Sequence, residues 1–399
     1  MSASLNSPRP AASQAFCPHF GECGGCSLQN ISYEEQLKSK TAKVVQALSF
    51  IKGLPEPKVH PSPDLRYYRN KMEFSFGDVY PPVPGGPTIK LGLKPKGNWH
   101  QILDLKDCFL LSPETASLLA AVRKWAEENH LSPYNGHKKQ GFLRHLVLRE
   151  AKNTGERMVV LVTNAGDFPK DSLVAAVKRA YPATTVVWGI HESASDTAIS
   201  ERMSILDGPG HITEVLRFEG RELKFRISPH SFFQTNTRAA NVLYGVLRDW
   251  VSDEKPDTVL DLYCGGGGIT LSLADLCRKV VGVETNLSAV EDAKENAKEN
   301  DLSNAEFYGG TTELLLPALL AMAPQIVVCD PPRAGMHAAA RAALAASGPR
   351  TLICVSCNPE SLARDLQGLS ASYQVERLEV FDLFPHTEHV ETAVFGVRS

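Results

Sequence analysis

The spacing of apolar positions changes character along the chain and divides it into unlike segments. From Ser32 to about Phe50, the run Tyr33-Glu-Glu-Gln-Leu-Lys-Ser-Lys-Thr-Ala-Lys-Val-Val-Gln-Ala-Leu48 carries apolar residues at helical spacing and predicts an amphipathic helix. Ser32 followed by Glu35 fits a capping box at its start. Between residues 66 and 226 the pattern shortens to strand-like runs: Lys71-Met-Glu-Phe-Ser-Phe76, Leu143-Arg-His-Leu-Val-Leu-Arg149 and Met158-Val-Val-Leu-Val-Thr163. Helical stretches near 113–129 and 170–180 and the loop Pro81-Pro-Val-Pro-Gly-Gly-Pro87 separate them. This predicts a mixed, β-rich α+β domain. From residue 227 onward, buried strand runs alternate with helical runs, as in a doubly wound, Rossmann-like α/β domain. Residues 1–15 are rich in Ser, Pro and Ala and read as a disordered tail, which leaves residues 16–65 as a short cysteine-bearing segment with the helix.

The last domain holds the chemistry, at the carboxyl ends of its strands. Thr258-Val-Leu-Asp-Leu-Tyr-Cys-Gly-Gly-Gly-Gly-Ile-Thr270 reads as strand, glycine loop and helix start, and the loop lets backbone approach a ligand. Thr270 stands where a dinucleotide fingerprint requires its third glycine. Lys279-Val-Val-Gly-Val-Glu284 ends in an acid about 20 residues past the loop, the usual place for ribose recognition. With Val328-Cys-Asp-Pro-Pro-Arg333 following, the order favours S-adenosylmethionine over NAD. Val355-Ser-Cys-Asn-Pro359 then breaks a strand into a loop with a lone thiol. A thiolate is soft enough to add to C6 of a pyrimidine, which turns the unreactive C5 into a nucleophilic enolate carbon. Beside a methyl donor, that chemistry is methylation of uracil at C5.

Five segments in order resemble the RNA 5-methyluridine methyltransferase family: Ser231-Phe-Phe-Gln-Thr-Asn236, Asp261-Leu-Tyr-Cys-Gly265, Asp330-Pro-Pro-Arg-Ala-Gly335, Ser356-Cys-Asn-Pro359 and Phe384-Pro-His-Thr-Glu-His-Val-Glu391. The resemblance implies that Cys357 is the nucleophile and Glu391 the base that removes the C5 proton. It also implies donor contacts from Gln234, Tyr263, Glu284 and Asp330. Glu388 is the nearer competitor for the base, and a Glu so close to the C-terminus could also be a solvated surface charge. Arg333 stands where amino-group methyltransferases place an aromatic to stack on the base, and suits a uracil oxygen, a phosphate or a structural contact. Cys329 precedes Asp330 inside a Val-rich strand, unlike the second cysteine of cytosine-C5 enzymes, and reads as a buried structural thiol, as do Cys264, Cys277 and Cys354.

Composition narrows what remains. Nine cysteines without a secretory signal do not suggest a disulfide framework, and no apolar run is long enough to span a bilayer. A cytoplasmic protein with no obligate protein partner is expected. Cys17-x5-Cys23-x2-Cys26 lies among glycines able to wrap a compact inorganic centre. Three close thiols with a distant fourth suit an iron–sulfur cluster, with zinc, aided by His19, as the second reading. In the cluster-bearing branch of the family, the [4Fe–4S] type that acts on 23S ribosomal RNA, the fourth ligand lies in an Asp/Lys-rich turn. Asp104-Leu-Lys-Asp-Cys108 matches it, so the resemblance implies Cys108. Such relatives often carry an N-terminal β-barrel RNA-binding module, for which the stretch before Cys17 is too short.

A net charge of −3 is not the footprint of a general nucleic-acid binder, so RNA binding needs a local patch. Arg66-Tyr-Tyr-Arg-Asn-Lys71 mixes cations with rings, and Arg66, Tyr68, Arg69 and Lys71 together with Arg333 are the candidate RNA contacts. Lys94 and Lys96, His137 to Lys139, and Arg144 with His145 could extend the patch. The expected substrate is RNA, 23S ribosomal RNA ahead of transfer RNA. An iron–sulfur sensor on a methyltransferase scaffold is the alternative of another class.

Overall fold

In the computed structural model, residues 15–81, 84, 86, 88–98 and 100–399 are described. The tail read over 1–15, apart from its last residue, and part of the Pro81–Pro87 loop lie outside them.

Ser32 caps the helix Tyr33–Ala47: its side chain accepts from Glu35 N, and Glu35 answers on the Ser32 backbone. The inward stripe carries Val44, which with Leu48 just beyond the helix is fully buried against Leu362 and Leu366. The helix therefore belongs to the core of the last domain. Strand Lys58–His60 makes the same attachment, pairing parallel with Tyr373–Phe381. The segment at 16–65 is thus built partly into the last domain. Nothing in the residue pattern marks this, because a three-residue strand has too few positions to show a period.

The sheet of this domain has eight strands in the order Lys58–His60, Tyr373–Phe381, Glu391–Arg398, Thr351–Ser356, Ile326–Cys329, Thr258–Leu262, Lys279–Glu284, Ala305–Gly309. Thr258–Leu262, Ile326–Cys329 and Thr351–Ser356 are buried at every position, as parallel strands covered on both faces must be. Glu391–Arg398 enters antiparallel between Thr351–Ser356 and Tyr373–Phe381. Helix Thr237–Glu254 covers one face through Leu243, Leu247 and Trp250, each in the cluster with Val259, Ile353 and Phe395. Hairpin Ile212–Phe218/Arg221–Ile227 adds Leu216, Leu223 and Phe225 to that same cluster. The boundary read at 227 therefore cuts through a packed unit.

The middle of the chain forms a seven-stranded sheet in the order Leu103–Asp104, Ile89–Leu93, Lys71–Asp78, Leu143–Glu150, Arg157–Thr163, Thr185–Ile190, Arg202–Asp207. Helices Thr115–Glu128 and Lys170–Ala180 pack on it through Leu118, Leu119, Val122, Leu173 and Val177. Leu143–Glu150 is buried at all eight positions, including Arg144 and His145. Arg144 stacks on Tyr134 at 3.8 Å and donates to Asn164 Oδ1 and the Ser193 and Ser195 carbonyls. It is interior structure rather than part of a basic patch.

Candidate active site

The ends of four strands, Thr258–Leu262, Lys279–Glu284, Ile326–Cys329 and Thr351–Ser356, converge on one cavity of about 620 Å³. Thr258–Leu262 runs into Tyr263, whose backbone is left-handed (φ 66°), and then into Gly265 and Gly267 at φ 54° and 85°. A Cβ on Gly267 would sit 3.3 Å from Ala293, Leu271 and Phe307 besides taking a strained conformation, so glycine is needed there. Thr270 donates to the Asp261 carboxylate at 2.5 Å from the helix that follows the loop, which accounts for a threonine in place of a third glycine. Asp261 is fully buried, and burial pushes its carboxyl up to about 7.

Glu284 stands at the end of the neighbouring strand. Its two carboxylate oxygens accept from Gly265 N at 3.0 Å and Asn286 N at 2.8 Å. The glycine loop and the acid are thereby locked together, each fixing the other for a ligand's hydroxyls. Asp330, after Ile326–Cys329, faces Gln234 Nε2 at 3.5 Å, and burial pushes its carboxyl up to about 7. Gln234 is held from the central domain, because Asn70 Nδ2 donates to the Gln234 carbonyl at 2.7 Å and to Thr237 Oγ1 at 2.9 Å.

Each residue of Ser356-Cys-Asn-Pro359 has a role in presenting the thiol. Ser356 Oγ accepts from Asn358 N at 3.2 Å, Asn358 caps helix Pro359–Leu369, and Pro359 starts it without needing a donor. Asn358 Nδ2 also donates to the Arg333 carbonyl at 3.1 Å, which ties the two loops. Cys357, left at the turn, is half-buried and lines the cavity. Burial pushes its thiol up to about 11, the charges of Glu391 and Asp330 add to this, and Arg333 opposes it. Glu391 begins its strand only 2 % exposed, while Glu388 is exposed outside the cavity. Burial raises the Glu391 carboxyl well above the ordinary value, reinforced by Asp330, and its Oε1 has no hydrogen-bond partner among the described residues. The solvated-surface reading of this glutamate is therefore excluded. Cys329, Cys354 and Cys264 are buried, as expected of structural thiols, and Cys277 is half-buried.

Cys357, Glu391, Gln234, Tyr263, Glu284, Asp330, Arg333 and Arg69 all line this one cavity. Arg66, Tyr68 and Lys71 do not. Tyr68 is 2 % exposed with its hydroxyl on the Pro385 carbonyl at 3.1 Å, so its ring is packed in the core and is unavailable to stack on a base. Its place in a basic stretch hid that burial. The Arg66 guanidinium stacks on Phe16 at 3.9 Å, and Lys71 pairs with Glu73 at 2.7 Å. The sequence reading missed Phe384, Thr312 and Asn286, which also line the cavity. Asn286 carried a usable signal, since its side chain caps helix Leu287–Glu299 and so marks a strand-to-helix turn beside Glu284.

Cys17, Cys23, Cys26 and Cys108 line a second, small pocket, with His19 and Gln29 on its wall. Burial raises all four thiols; neighbouring cysteines raise Cys23, Cys26 and Cys108 further, and the Asp107 charge does the same for Cys17. His19 Nε2 accepts from Lys106 N at 3.0 Å, which engages one of its two ring nitrogens. Among the described residues no group of three or more His, Cys, Asp or Glu side chains is arranged around a single ion position.

Comparison with known proteins accords with this arrangement. Residues 198–399 match the family described as tRNA (Uracil-5-)-methyltransferase. An RNA methyltransferase of Clostridium tetani is 37 % identical over 98 % of this chain and 85 % of its own length. One from Caldanaerobacter subterraneus is 39 % identical over 96 % and 84 %. The crystal structure of Pyrococcus abyssi tRNA (uracil-54, C5)-methyltransferase with S-adenosyl-L-homocysteine superposes with a TM-score of 0.76 at 30 % identity, covering 94 % of this chain and 86 % of that one. The chain belongs to the RNA 5-methyluridine methyltransferase family and is an S-adenosylmethionine-dependent RNA methyltransferase.

Proposed function

We propose that the protein converts a uridine of RNA to 5-methyluridine, with Cys357 as nucleophile and Glu391 as base. The observation that carries this reading is the shared cavity: it is lined by the thiol, by a buried carboxylate with one unpartnered oxygen, and by the glycine loop with its acid. Cys357 Sγ, as thiolate, bonds to C6 of the uracil, and the electron pair moves to make C5 an enolate carbon. C5 takes the methyl group of S-adenosylmethionine, and S-adenosylhomocysteine leaves. Glu391 removes the remaining C5 hydrogen as a proton, the C5–C6 double bond re-forms, and the C6–S bond breaks to return the thiolate. A sulfonium charge bound in this cavity would favour the ionised forms of Asp330 and Glu391, which the cavity by itself disfavours. Gln234, Tyr263, Glu284 and Asp330 would hold the donor, and Arg69 and Arg333 the RNA.

We further propose a [4Fe–4S] centre on Cys17, Cys23, Cys26 and Cys108, a reading that rests on their spacing and on their lining one small pocket. Gly25 N points at Cys23 Sγ at 3.4 Å, the type of backbone contact that steadies a ligating sulfur. That cysteine set favours 23S ribosomal RNA as substrate, and the likeness to the Pyrococcus abyssi enzyme favours transfer RNA. Mapping 5-methyluridine separately in ribosomal and transfer RNA, from cells with and without the gene, decides between them. Loss from neither pool would contradict the reading.

A further inference from the structure

Residues 228–236 join strand Arg221–Ile227 to helix Thr237–Glu254 and bring Phe232, Phe233, Gln234 and Thr235 to the wall of the catalytic cavity. Apart from a bridge between Asn236 and Arg69 they belong to no strand or helix, so their place is set mainly by side chains that reach them. Two such groups hold the start of the segment from opposite sides. On one side, Asp292 accepts from both serines of Ser228-Pro-His-Ser231: Ser228 Oγ donates to Oδ1 at 2.9 Å, and Ser231 Oγ donates to Oδ2. Ser228 N in turn donates to Ser231 Oγ at 2.8 Å, which closes the four residues around the carboxylate. On the other side Arg149, only 2 % exposed, donates to the Pro229 carbonyl at 3.1 Å and to the Ser231 carbonyl.

Asp292 is half-buried on helix Leu287–Glu299 and does not itself line the cavity. One helical turn further on, Asn296 Nδ2 donates to the Gly266 carbonyl at 3.3 Å. Just before the helix, Asn286 N donates to Glu284 Oε1 at 2.8 Å. One helix therefore registers the glycine loop, the acid after the second strand and, through Asp292, the segment that carries Gln234. That segment lies directly against the glycine loop, since a Cβ on Gly266 would stand 3.4 Å from the Phe232 carbonyl. Hydrogen bonds to a carboxylate are charge-assisted and stronger than those between neutral groups, so Asp292 is a firm anchor for an otherwise irregular stretch.

We infer that Asp292 is a positioning residue for the methyl donor, seating residues 228–236 so that Gln234 faces Asp330 before the donor arrives. The inference rests on Gln234 contacting the donor, as proposed above, and on nothing about the RNA. A segment that leaves its place binds donor only in the fraction of molecules where it is seated. The apparent affinity falls by that fraction, while the complex, once formed, is the same. Loss of the anchor should therefore appear in donor affinity and not in the rate at saturating donor.

Calorimetric titration of the full chain with S-adenosylmethionine, without RNA, tests this. Asp292→Ala should raise the donor Kd about tenfold, and Asp292→Asn, which keeps one carbonyl oxygen, about threefold, with the binding stoichiometry unchanged. Methyl incorporation into total RNA from cells lacking the gene should show a matching rise in donor KM, with kcat within about twofold of wild type. In a Gln234→Ala background, Asp292→Ala should add less than about twofold, because the contact it seats is already gone. An unchanged donor Kd in Asp292→Ala, or a loss confined to stoichiometry or to the urea midpoint, overturns the inference and leaves the carboxylate a fold contact only. Failure of the donor-contact reading would appear separately, as wild-type donor affinity in Gln234→Ala.

Discussion

Lys40 Nζ donates to the Asp382 carboxylate at 2.6 Å, and the two side chains are 2 % and 1 % exposed. The same ammonium reaches the Phe384 carbonyl at 3.0 Å, while Gln36 Oε1 accepts from His386 N at 2.9 Å. Helix Tyr33–Ala47 thereby clamps the Phe384–His389 loop that leads into Glu391. Two buried charges repay their desolvation only while both are present. Lys40→Met should destabilise the protein by about 3–5 kcal/mol, and adding Asp382→Leu should recover most of it. Urea denaturation of the single and double variants checks this; equal stability of the single variant and wild type would mean that the clamp contributes nothing.

Alkylation of Cys357 in donor-free protein should accelerate about tenfold per pH unit between pH 8 and 10, because only the thiolate reacts. No plateau is expected in that range, since burial pushes the thiol up to about 11. Arg333→Met removes the one cation that opposes this and should slow the reaction at pH 9, whereas Glu391→Gln should speed it. Peptide mass spectrometry follows the modified site; a plateau near pH 8 would show that Cys357 is more ionised than its surroundings allow.

Stability should carry the signature of Asp261. Its folded carboxyl is raised to about 7, against about 4 when unfolded, so folding favours the protonated form. Its favourable contribution is full below about pH 4 and is lost as the pH rises through about 7. Asp261→Asn is neutral throughout. The variant should therefore gain stability relative to wild type between pH 5 and pH 8, as read from urea midpoints at both values. A difference independent of pH would remove Asp261 as the titrating group.

How much of this was readable beforehand follows from what each element depends on. The helix at Tyr33–Ala47 was legible because Ser32 and Glu35 lie within four residues, and Glu284 because its strand follows the glycine loop directly. Strand Lys58–His60 is not foreseen by the residue pattern and the hairpin 212–227 is placed with the central domain, since both join a sheet or core whose other parts are remote in sequence. Tyr68 failed for a related reason. Its neighbours are Arg66 and Arg69, and its burial is set by the distant Pro385. Glu391 was found by motif, but its burial and its missing partner depend on strands from three parts of the chain.

Anaerobically purified protein should be brown and carry roughly four iron atoms per chain, by all-cysteine ligation. Cys26 is followed by Ser27 and Leu28, whose N–H groups both donate to the His386 carbonyl at 2.9 Å. Cys26→Ser should therefore lose the colour and loosen the Phe384–His389 loop, lowering RNA affinity or stability more than donor affinity. Iron analysis with calorimetry for both ligands checks it. Colourless protein with one zinc would refute the cluster and leave only a metal staple.

The central claim is that Cys357 attacks the uracil, and covalent trapping tests it most directly. RNA containing 5-fluorouridine is incubated with enzyme and S-adenosylmethionine, then denatured and run on a gel. Fluorine at C5 cannot leave as a proton, so wild type should give a denaturation-resistant complex carrying RNA and the methyl group. Cys357→Ala should give none, while Glu391→Gln should accumulate such a complex even with ordinary uridine. A Cys357→Ala protein that still traps RNA would contradict the account.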